Sequence, residues 1–192
     1  MTELNWDYID RLMPVRAENA NKNDFGRILC VCGSASYTGA AYFAAEGAVR
    51  MGAGVVTLAA PEKAWPVLAV KLNEPVVRPM PCGADGVFSR AAAEPLLSLA
   101  AHADALLLGC GLGRSDEVGE LVLTLLENAP CQIVLDADGI FAAARHKDIL
   151  RRTAKPPILT PHAGEFARLS GISAASDAEL TDFAEKMRCV LL

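Results

Sequence analysis

The sequence lacks the features that mark several large classes of protein. No apolar run approaches the roughly 20 residues that a membrane-spanning helix needs, so we expect no membrane span. The 18 basic and 23 acidic residues give a formal net charge of −5. This balance argues against a nucleic-acid binder, which usually carries a basic face. Residues 1–16 are polar and acidic without an apolar segment, so we also expect no signal peptide.

Cysteine is present, but not in the spacings that bind zinc. The six cysteines include no C-x-x-C pair and no cysteine–histidine ligand pattern. Cys30 and Cys32 lie two apart in an apolar run, which places both side chains on one face of a strand. We expect buried, reduced thiols, which are typical of a cytoplasmic, reducing compartment.

Apolar runs alternate with helical segments along the chain, of which 52% is hydrophobic and 21% charged, as in globular proteins. The predicted strands are 27–33, 55–59, 76–80, 105–108, 132–135 and 158–159, with a further buried strand opening at 189–192. The predicted helices are 38–52, 62–72, 89–103, 115–128 and 177–188, with Thr38, Ser89 and Ser115 as N-caps. This alternation indicates parallel βαβ units. The expected fold is therefore a three-layer α/β/α domain covering residues 1–192.

Four loops leave predicted strands at the carboxyl edge of this sheet, the edge at which open parallel sheets bind ligands. They are GSASYTGAA at 33–41, GCGLG at 109–113, DADG at 136–139 and TPHAGE at 160–165. The first loop opens a helix whose free amides could hold an anion, and a glycine-rich connector is an equal alternative. The second permits positive φ and close approach of a ligand, with a plain turn as the alternative.

Carboxylate and imidazole side chains lie in the last two loops. Asp136 follows an apolar strand, where a carboxylate is costly to bury without a partner, so a role in a site is favoured over a solvated turn. Asp136 and Asp138 can differ, one facing the cleft while the other caps the next helix. We expect His162 to bind a ligand at the cleft edge. Glu165 either joins that site or serves only as an acid in the first turn of a helix.

Taken in order, these motifs resemble the carbohydrate-kinase-like family of ADP- or ATP-dependent NAD(P)H-hydrate dehydratases. The motifs are Lys22, GSASYTGAA at 33–41, GAGVVTLAAP at 52–61, GCGLGRS at 109–115, DADG at 136–139 and LTPHAGEFARLSG at 159–171. The resemblance covers nearly the whole chain from about residue 16, and it implies a ribokinase-like fold with a mainly parallel sheet. It also implies nucleotide repair: ADP or ATP, with Mg²⁺, phosphorylates the ring hydroxyl of a hydrated nicotinamide nucleotide. Phosphate then leaves to regenerate NADH or NADPH.

The resemblance assigns roles to individual residues. Ala40, Gly111 and His162 are expected to contact the hydrated nucleotide, NADHX or NADPHX. Asp136 and Glu165 are expected near the Mg²⁺ and phosphates, through water rather than as direct metal ligands. Because the family commonly forms oligomers, a homo-oligomer is expected as well.

The sequence also departs from the family pattern. Cys110 and Ala163 stand where the family usually has proline, and 139–141 reads GIF where an Ala-Leu-Asn-like continuation is commoner. The family's LKG-type loop and GTGD-type motif, which supplies the catalytic Asp, are not found in the 192 residues. We therefore expect a fold incomplete at its C-terminus, no catalytic residue in this chain, and binding with impaired turnover. Two other interpretations are a small-molecule kinase of the same fold and a non-catalytic nucleotide-binding module.

Overall fold

A seven-stranded sheet lies at the centre of the protein, for which a computed structural model describes residues 5–13 and 17–192. The strands are β1 (Arg27–Val31), β2 (Val55–Pro61), β3 (Val76–Met80), β4 (Ala105–Leu108), β5 (Gln132–Leu135), β6 (Ile158–Leu159) and β7 (Val190–Leu191). They are hydrogen-bonded in the order β3-β2-β1-β4-β5-β6-β7, and every pairing is parallel. The mainly parallel sheet that the sequence predicts is confirmed.

Helices cover both faces of this sheet and complete the predicted three layers. They are α2 (Thr38–Arg50), α3 (Trp65–Lys71), α4 (Ala93–Ala100), α5 (Asp116–Asn128), α6 (Ala137–Ala144), α7 (Ala163–Ser170) and α8 (Asp177–Met187). A further helix, α1 (Trp6–Leu12), precedes them and has no buried residue. Short 3₁₀ helices lie at Lys22–Phe25, Arg90–Ala92 and Lys147–Arg152. None of the helices among the described residues is long and apolar enough to cross a membrane.

Alternate residues of β1 supply the two halves of the hydrophobic core, because successive side chains of a strand point to opposite faces. Cys30 and Cys32 pack with α2 and α3 on one face, as their spacing predicts. Leu29 and Val31 join the larger cluster on the other face, to which α4 through α8 contribute. Fully buried alanines of α2, among them Ala45, let that helix approach the sheet closely.

Several predicted boundaries and caps need correction. β3, β4, β5 and β6 have the predicted bounds, and Ser115 caps α5 by accepting a hydrogen bond from the backbone N–H of Val118. Thr38 is the first residue of α2 rather than its cap, and Ser89 precedes a 3₁₀ helix without a side-chain capping bond. The predicted strand at 189–192 forms, but the expected burial is wrong for Val190, which is 46% exposed at the sheet edge.

The direction of the chain across the sheet reverses between β1 and β4. From β1 it runs outward to β2 and β3, and it then crosses back to β4 on the other side of β1. Such a reversal opens a crevice between the carboxyl ends of the two central strands, where doubly wound sheets bind ligands. The loops at 33–41 and 109–113 therefore lie next to each other at this crevice.

Candidate functional site

The first two predicted loops are joined by a hydrogen bond across the crevice. The backbone N–H of Gly33 donates to the carbonyl of Cys110 at 2.8 Å, which continues the β1–β4 ladder beyond both strands. α2 begins a few residues later, and no side chain caps its first turn. The amides at the start of α2 are therefore free of side-chain capping partners at the crevice.

Ala40 and Gly111, two residues predicted to contact the substrate, lie directly against each other. Gly111 has φ +71°, and a Cβ at this position would lie 2.8 Å from the Cβ of Ala40 and 2.9 Å from the Cβ of Tyr37. Real Cβ atoms do not approach this closely, so only glycine permits this contact between the loop and the first turn of α2. The positive φ of Gly111, which L-residues rarely adopt, also favours glycine at this position.

Gly109 permits an equally close approach between the ends of β4 and β5. Its φ is +135°, and a Cβ there would lie 1.8 Å from the carbonyl oxygen of Asp136. The backbone N–H of Asp136 donates to the carbonyl of Leu108 at 3.0 Å. These contacts fix the backbone from which the Asp136 carboxylate extends.

Donors on both sides hold the Asp136 carboxylate. The hydroxyl of Thr160, just after β6, donates to Oδ1 at 2.7 Å, and the thiol of Cys110, just after β4, donates to Oδ2 at 3.3 Å. These two bonds supply the partners that a partly buried carboxylate at a strand end requires. Sequence reasoning missed both partners, because each lies 24 or more residues away along the chain.

Asp138 has a structural role in the same region. Its carboxylate accepts a hydrogen bond from the backbone N–H of Gly113 at 3.0 Å and pairs with the guanidinium of Arg114 at 2.9 Å. Asp136 occupies the N-cap position of α6, but its side chain makes no capping bond. The expectation that one of the two aspartates caps the next helix is therefore wrong, because both carboxylates are engaged by neighbouring loops.

His162 and Glu165 form a reciprocal cap at the start of α7. The Nδ1 atom of His162 accepts hydrogen bonds from the backbone N–H groups of Gly164 at 3.0 Å and Glu165 at 3.3 Å. The Glu165 carboxylate accepts in return from the backbone N–H of His162 at 3.1 Å. Since Nδ1 is an acceptor, Nε2 carries the ring proton, and it lies 3.3 Å from a carboxylate oxygen of Glu165.

The two members of this cap differ in exposure. The imidazole is 73% exposed and the Glu165 side chain 13% exposed, so a ligand could reach the ring more easily than the carboxylate. The Thr160–Asp136 bond connects this loop to the centre of the edge, while the Ala40–Gly111 contact lies at β1 and β4. The five predicted residues thus occupy adjoining strand ends, in two groups rather than one cluster.

The segment after β3 closes over the first two loops, a contact that sequence reasoning missed. The carbonyl of Gly86 accepts from the backbone N–H of Ala35 at 2.9 Å. Close packing reinforces it, since a Cβ on Gly86 would lie 2.4 Å from that of Ala35. A Cβ on Gly113 would similarly lie 3.0 Å from Val87. The only local signal was the GADG turn at 83–86, followed by Phe88, which is fully buried.

The described part of the chain contains no preformed group of side chains for direct metal coordination. Within residues 5–13 and 17–192, no group of three or more His, Cys, Asp or Glu side chains could hold a metal ion. Each oxygen of the Asp136 carboxylate accepts one hydrogen bond and keeps a further lone-pair site for a water molecule. The donor set therefore fits a hydrated cation better than a directly bound one.

The chain is similar to several known proteins. A bifunctional NAD(P)H-hydrate repair enzyme Nnr of Moorella thermoacetica is 38% identical over 185 residues, covering 94% of this chain and 35% of that protein. An ADP-dependent (S)-NAD(P)H-hydrate dehydratase of Xanthomonas campestris is 35% identical over 188 residues, covering 95% of this chain and 63% of that protein. A Bacillus subtilis ADP/ATP-dependent NAD(P)H-hydrate dehydratase, co-crystallized with ATP/Mg²⁺, matches with a TM-score of 0.70 at 26% identity. That match covers 96% of this chain and 63% of the Bacillus chain.

The chain thus spans about a third of the Moorella protein and under two thirds of the Xanthomonas protein. A family model described as NAD(P)H-hydrate dehydratase matches residues 28–192, which is most of the chain. The matched range contains every strand of the sheet except the first residue of β1, and all four loops of the carboxyl edge. On this evidence the protein belongs to the carbohydrate-kinase-like NAD(P)H-hydrate dehydratase family.

Proposed function

We propose that this chain binds MgADP or MgATP together with a hydrated nicotinamide nucleotide, and that it contributes to the nucleotide's dehydration. The reaction is that of a hydro-lyase in nicotinamide-nucleotide repair. One observation carries the proposal: the Ala40–Gly111 contact and the doubly held Asp136 carboxylate lie on adjoining loops beside the reversal of the sheet. The Xanthomonas and Bacillus relatives, named for this activity, support it.

The substrate side of the site consists mainly of backbone and small side chains. We propose that the hydrated nucleotide lies over Ala40 and Gly111, where the lack of bulky side chains permits close approach to backbone amides. The uncapped first turn of α2 would offer free N–H groups to a phosphate of the nucleotide.

His162 is proposed as a third contact with the nucleotide. Its Nδ1 atom is occupied by two amides, which fixes the orientation of the ring and leaves the Nε2–H as the group that can donate. The exposed ring faces solvent. A hydroxyl or amide oxygen of the substrate can therefore accept the Nε2–H in place of Glu165.

Asp136 and Glu165 are proposed to act on the phosphate side through water. Phosphoryl transfer depends on positioning and charge neutralisation more than on covalent help, and a fixed carboxylate is suited to holding a hydrated Mg²⁺. Phosphorylation would convert hydroxide, a poor leaving group, into phosphate, whose departure restores the reduced nicotinamide ring. None of the described residues is proposed as the catalytic acid or base.

The proposed function also concerns the compartment, domain organisation and assembly of the protein. We propose a cytoplasmic protein that folds as one domain over residues 1–192 and assembles as a homo-oligomer. The six free cysteines support a reducing compartment.

Isothermal titration calorimetry with MgADP and NADPHX tests the proposed function. Gly111→Ala would place a methyl group against Ala40, and we expect it to weaken NADPHX binding by at least about tenfold, or 1.4 kcal/mol. Gly119→Ala is the matched control, because no atom beyond the backbone of its own helix lies within 4 Å of a Cβ there. Wild-type binding of a sugar or vitamin-precursor alcohol, with none of NADPHX, would refute the dehydratase assignment and support the kinase interpretation.

A further inference from the structure

Thiol, carboxylate and hydroxyl side chains lie at four adjacent strand ends at the carboxyl edge of the sheet. The Cys32 thiol, just after β1, donates across to the carbonyl of Leu107 in β4 at 3.9 Å and lies in the same cluster as Cys110, just after β4. The Cys110 thiol donates to Asp136, which in turn accepts from Thr160. Because β1, β4, β5 and β6 are neighbours in the sheet, these four residues form one continuous row.

Two members of this row are neighbouring thiols, and their backbones are suited to a covalent link. Val31 is the ladder partner of Leu108, and the Gly33 N–H donates to the Cys110 carbonyl, so Cys32 and Cys110 are near-register neighbours. Adjacent strands lie about 4.7–4.9 Å apart, and disulfides usually span about 5.5–6 Å between Cα atoms. Both side chains pack on the same face of the sheet.

The two thiols differ in accessibility. Cys32 is fully buried, whereas Cys110 is partly exposed in the crevice. The neighbouring Cys110 thiol and burial raise the pKa of the Cys32 thiol well above its ordinary value, so Cys32 stays protonated. An oxidant would therefore reach Cys110 first, and Cys32 lies in position to react with the oxidised sulfur.

We propose that Cys32 and Cys110 are an oxidative modification site, a dithiol that hydrogen peroxide converts into a disulfide at the crevice. The Cys110 sulfur attacks a peroxide oxygen, the O–O bond breaks, and one water leaves, giving a sulfenic acid. The Cys32 sulfur then attacks the Cys110 sulfur, the S–O bond breaks, and the departing hydroxide takes the Cys32 proton as a second water. The two thiols lose two electrons in total, and hydrogen peroxide is reduced to two waters.

The disulfide has a defined consequence for the candidate site. Without its proton the Cys110 sulfur no longer donates to Asp136 Oδ2, and the carboxylate keeps only the Thr160 bond. A lost hydrogen bond of this kind corresponds to roughly a 2- to 10-fold change in an affinity that depends on it. This consequence rests on the proposed function, in which Asp136 lies near MgADP, whereas formation of the disulfide does not.

The test treats the folded chain with hydrogen peroxide, blocks remaining thiols with N-ethylmaleimide and identifies linked peptides by mass spectrometry under non-reducing conditions. We expect a peptide linking Cys32 to Cys110 in the wild type, lost on treatment with dithiothreitol. Cys110→Ser should abolish it. Cys82→Ser is the matched control, because Cys82 is also partly buried and lies 3.8 Å from a carboxylate, that of Glu62. It should leave the link unchanged.

The outcomes separate the disulfide from its consequence. Peroxide adducts without the 32–110 link in a chain with a native circular dichroism spectrum would overturn the proposal. Formation of the link with unchanged MgADP affinity would overturn only the effect on Asp136. If neither the reduced nor the oxidised chain binds MgADP, the proposed function fails, while the peptide map still decides the modification site.

Discussion

Replacing Gly109 by alanine is expected to destabilise the chain by about 2–6 kcal/mol. Gly109 has φ +135°, a backbone conformation that costs an alanine roughly 1–3 kcal/mol. The added methyl carbon would lie 1.8 Å from the carbonyl oxygen of Asp136, which is backbone and cannot rotate away. Overpacking of this kind typically costs a further 1–3 kcal/mol.

Urea denaturation followed by circular dichroism measures this loss. With a slope of about 2 kcal/mol per molar urea, the transition midpoint should fall by roughly 1–3 M. Gly119→Ala is the matched control: Gly119 lies inside α5 with no neighbour near its Cβ position. This variant should gain about 0.5–1 kcal/mol of stability, because alanine loses less backbone entropy on folding than glycine. A Gly109→Ala protein that unfolds at the wild-type urea concentration would refute the packing described for the ends of β4 and β5.

Three further predictions address the caps, the thiols and the loop contacts. His162→Ala should lose about 1 kcal/mol because two amides lose their acceptor, while His162→Asn keeps a cap without an imidazole. Retention of NADPHX affinity by both variants would exclude His162 from the site. Burial raises the pKa of Cys30 to about 12 and of Cys189 to about 11, from the ordinary 9.0. The stability that these protonated thiols contribute is present below pH 9 and lost as the pH rises towards 11–12. Urea titrations across this range should show the decline, and a flat profile would contradict it. Asp138→Ala should cost about 1–3 kcal/mol in the same assay, because an amide of the 109–113 loop loses its acceptor; an unchanged midpoint would contradict this.

The strands of the sheet could be predicted because the signal for each strand lies within a short stretch of sequence. β4 and β5 are short apolar runs bounded by turn residues, and their predicted bounds agree with the structure. The resemblance named Ala40 and Gly111 as substrate contacts, but their direct contact depends on the strand order, which was not predicted.

Long-range contacts could not be predicted. The Cys110 and Thr160 bonds to Asp136 join residues distant along the chain, and neither thiol nor hydroxyl has a local pattern that indicates its partner. The cap formed by His162 was missed because histidine is not among the preferred N-cap residues. Thr38 was predicted as a cap for its residue type, whereas α2 begins at Thr38 itself, without a side-chain cap.

Hydrogen–deuterium exchange of the backbone amides, with and without NADPHX in the presence of MgADP, tests the central claim most directly. The proposed site predicts slower exchange at 33–41, 109–113 and 160–165 when NADPHX is present, with little change in α8 (Asp177–Met187). It also predicts that the slowing at 109–113 is lost in Gly111→Ala and retained in Gly119→Ala. Saturating NADPHX that leaves all three loops unprotected, or that protects only other segments, would contradict a nucleotide site at the carboxyl edge of this sheet.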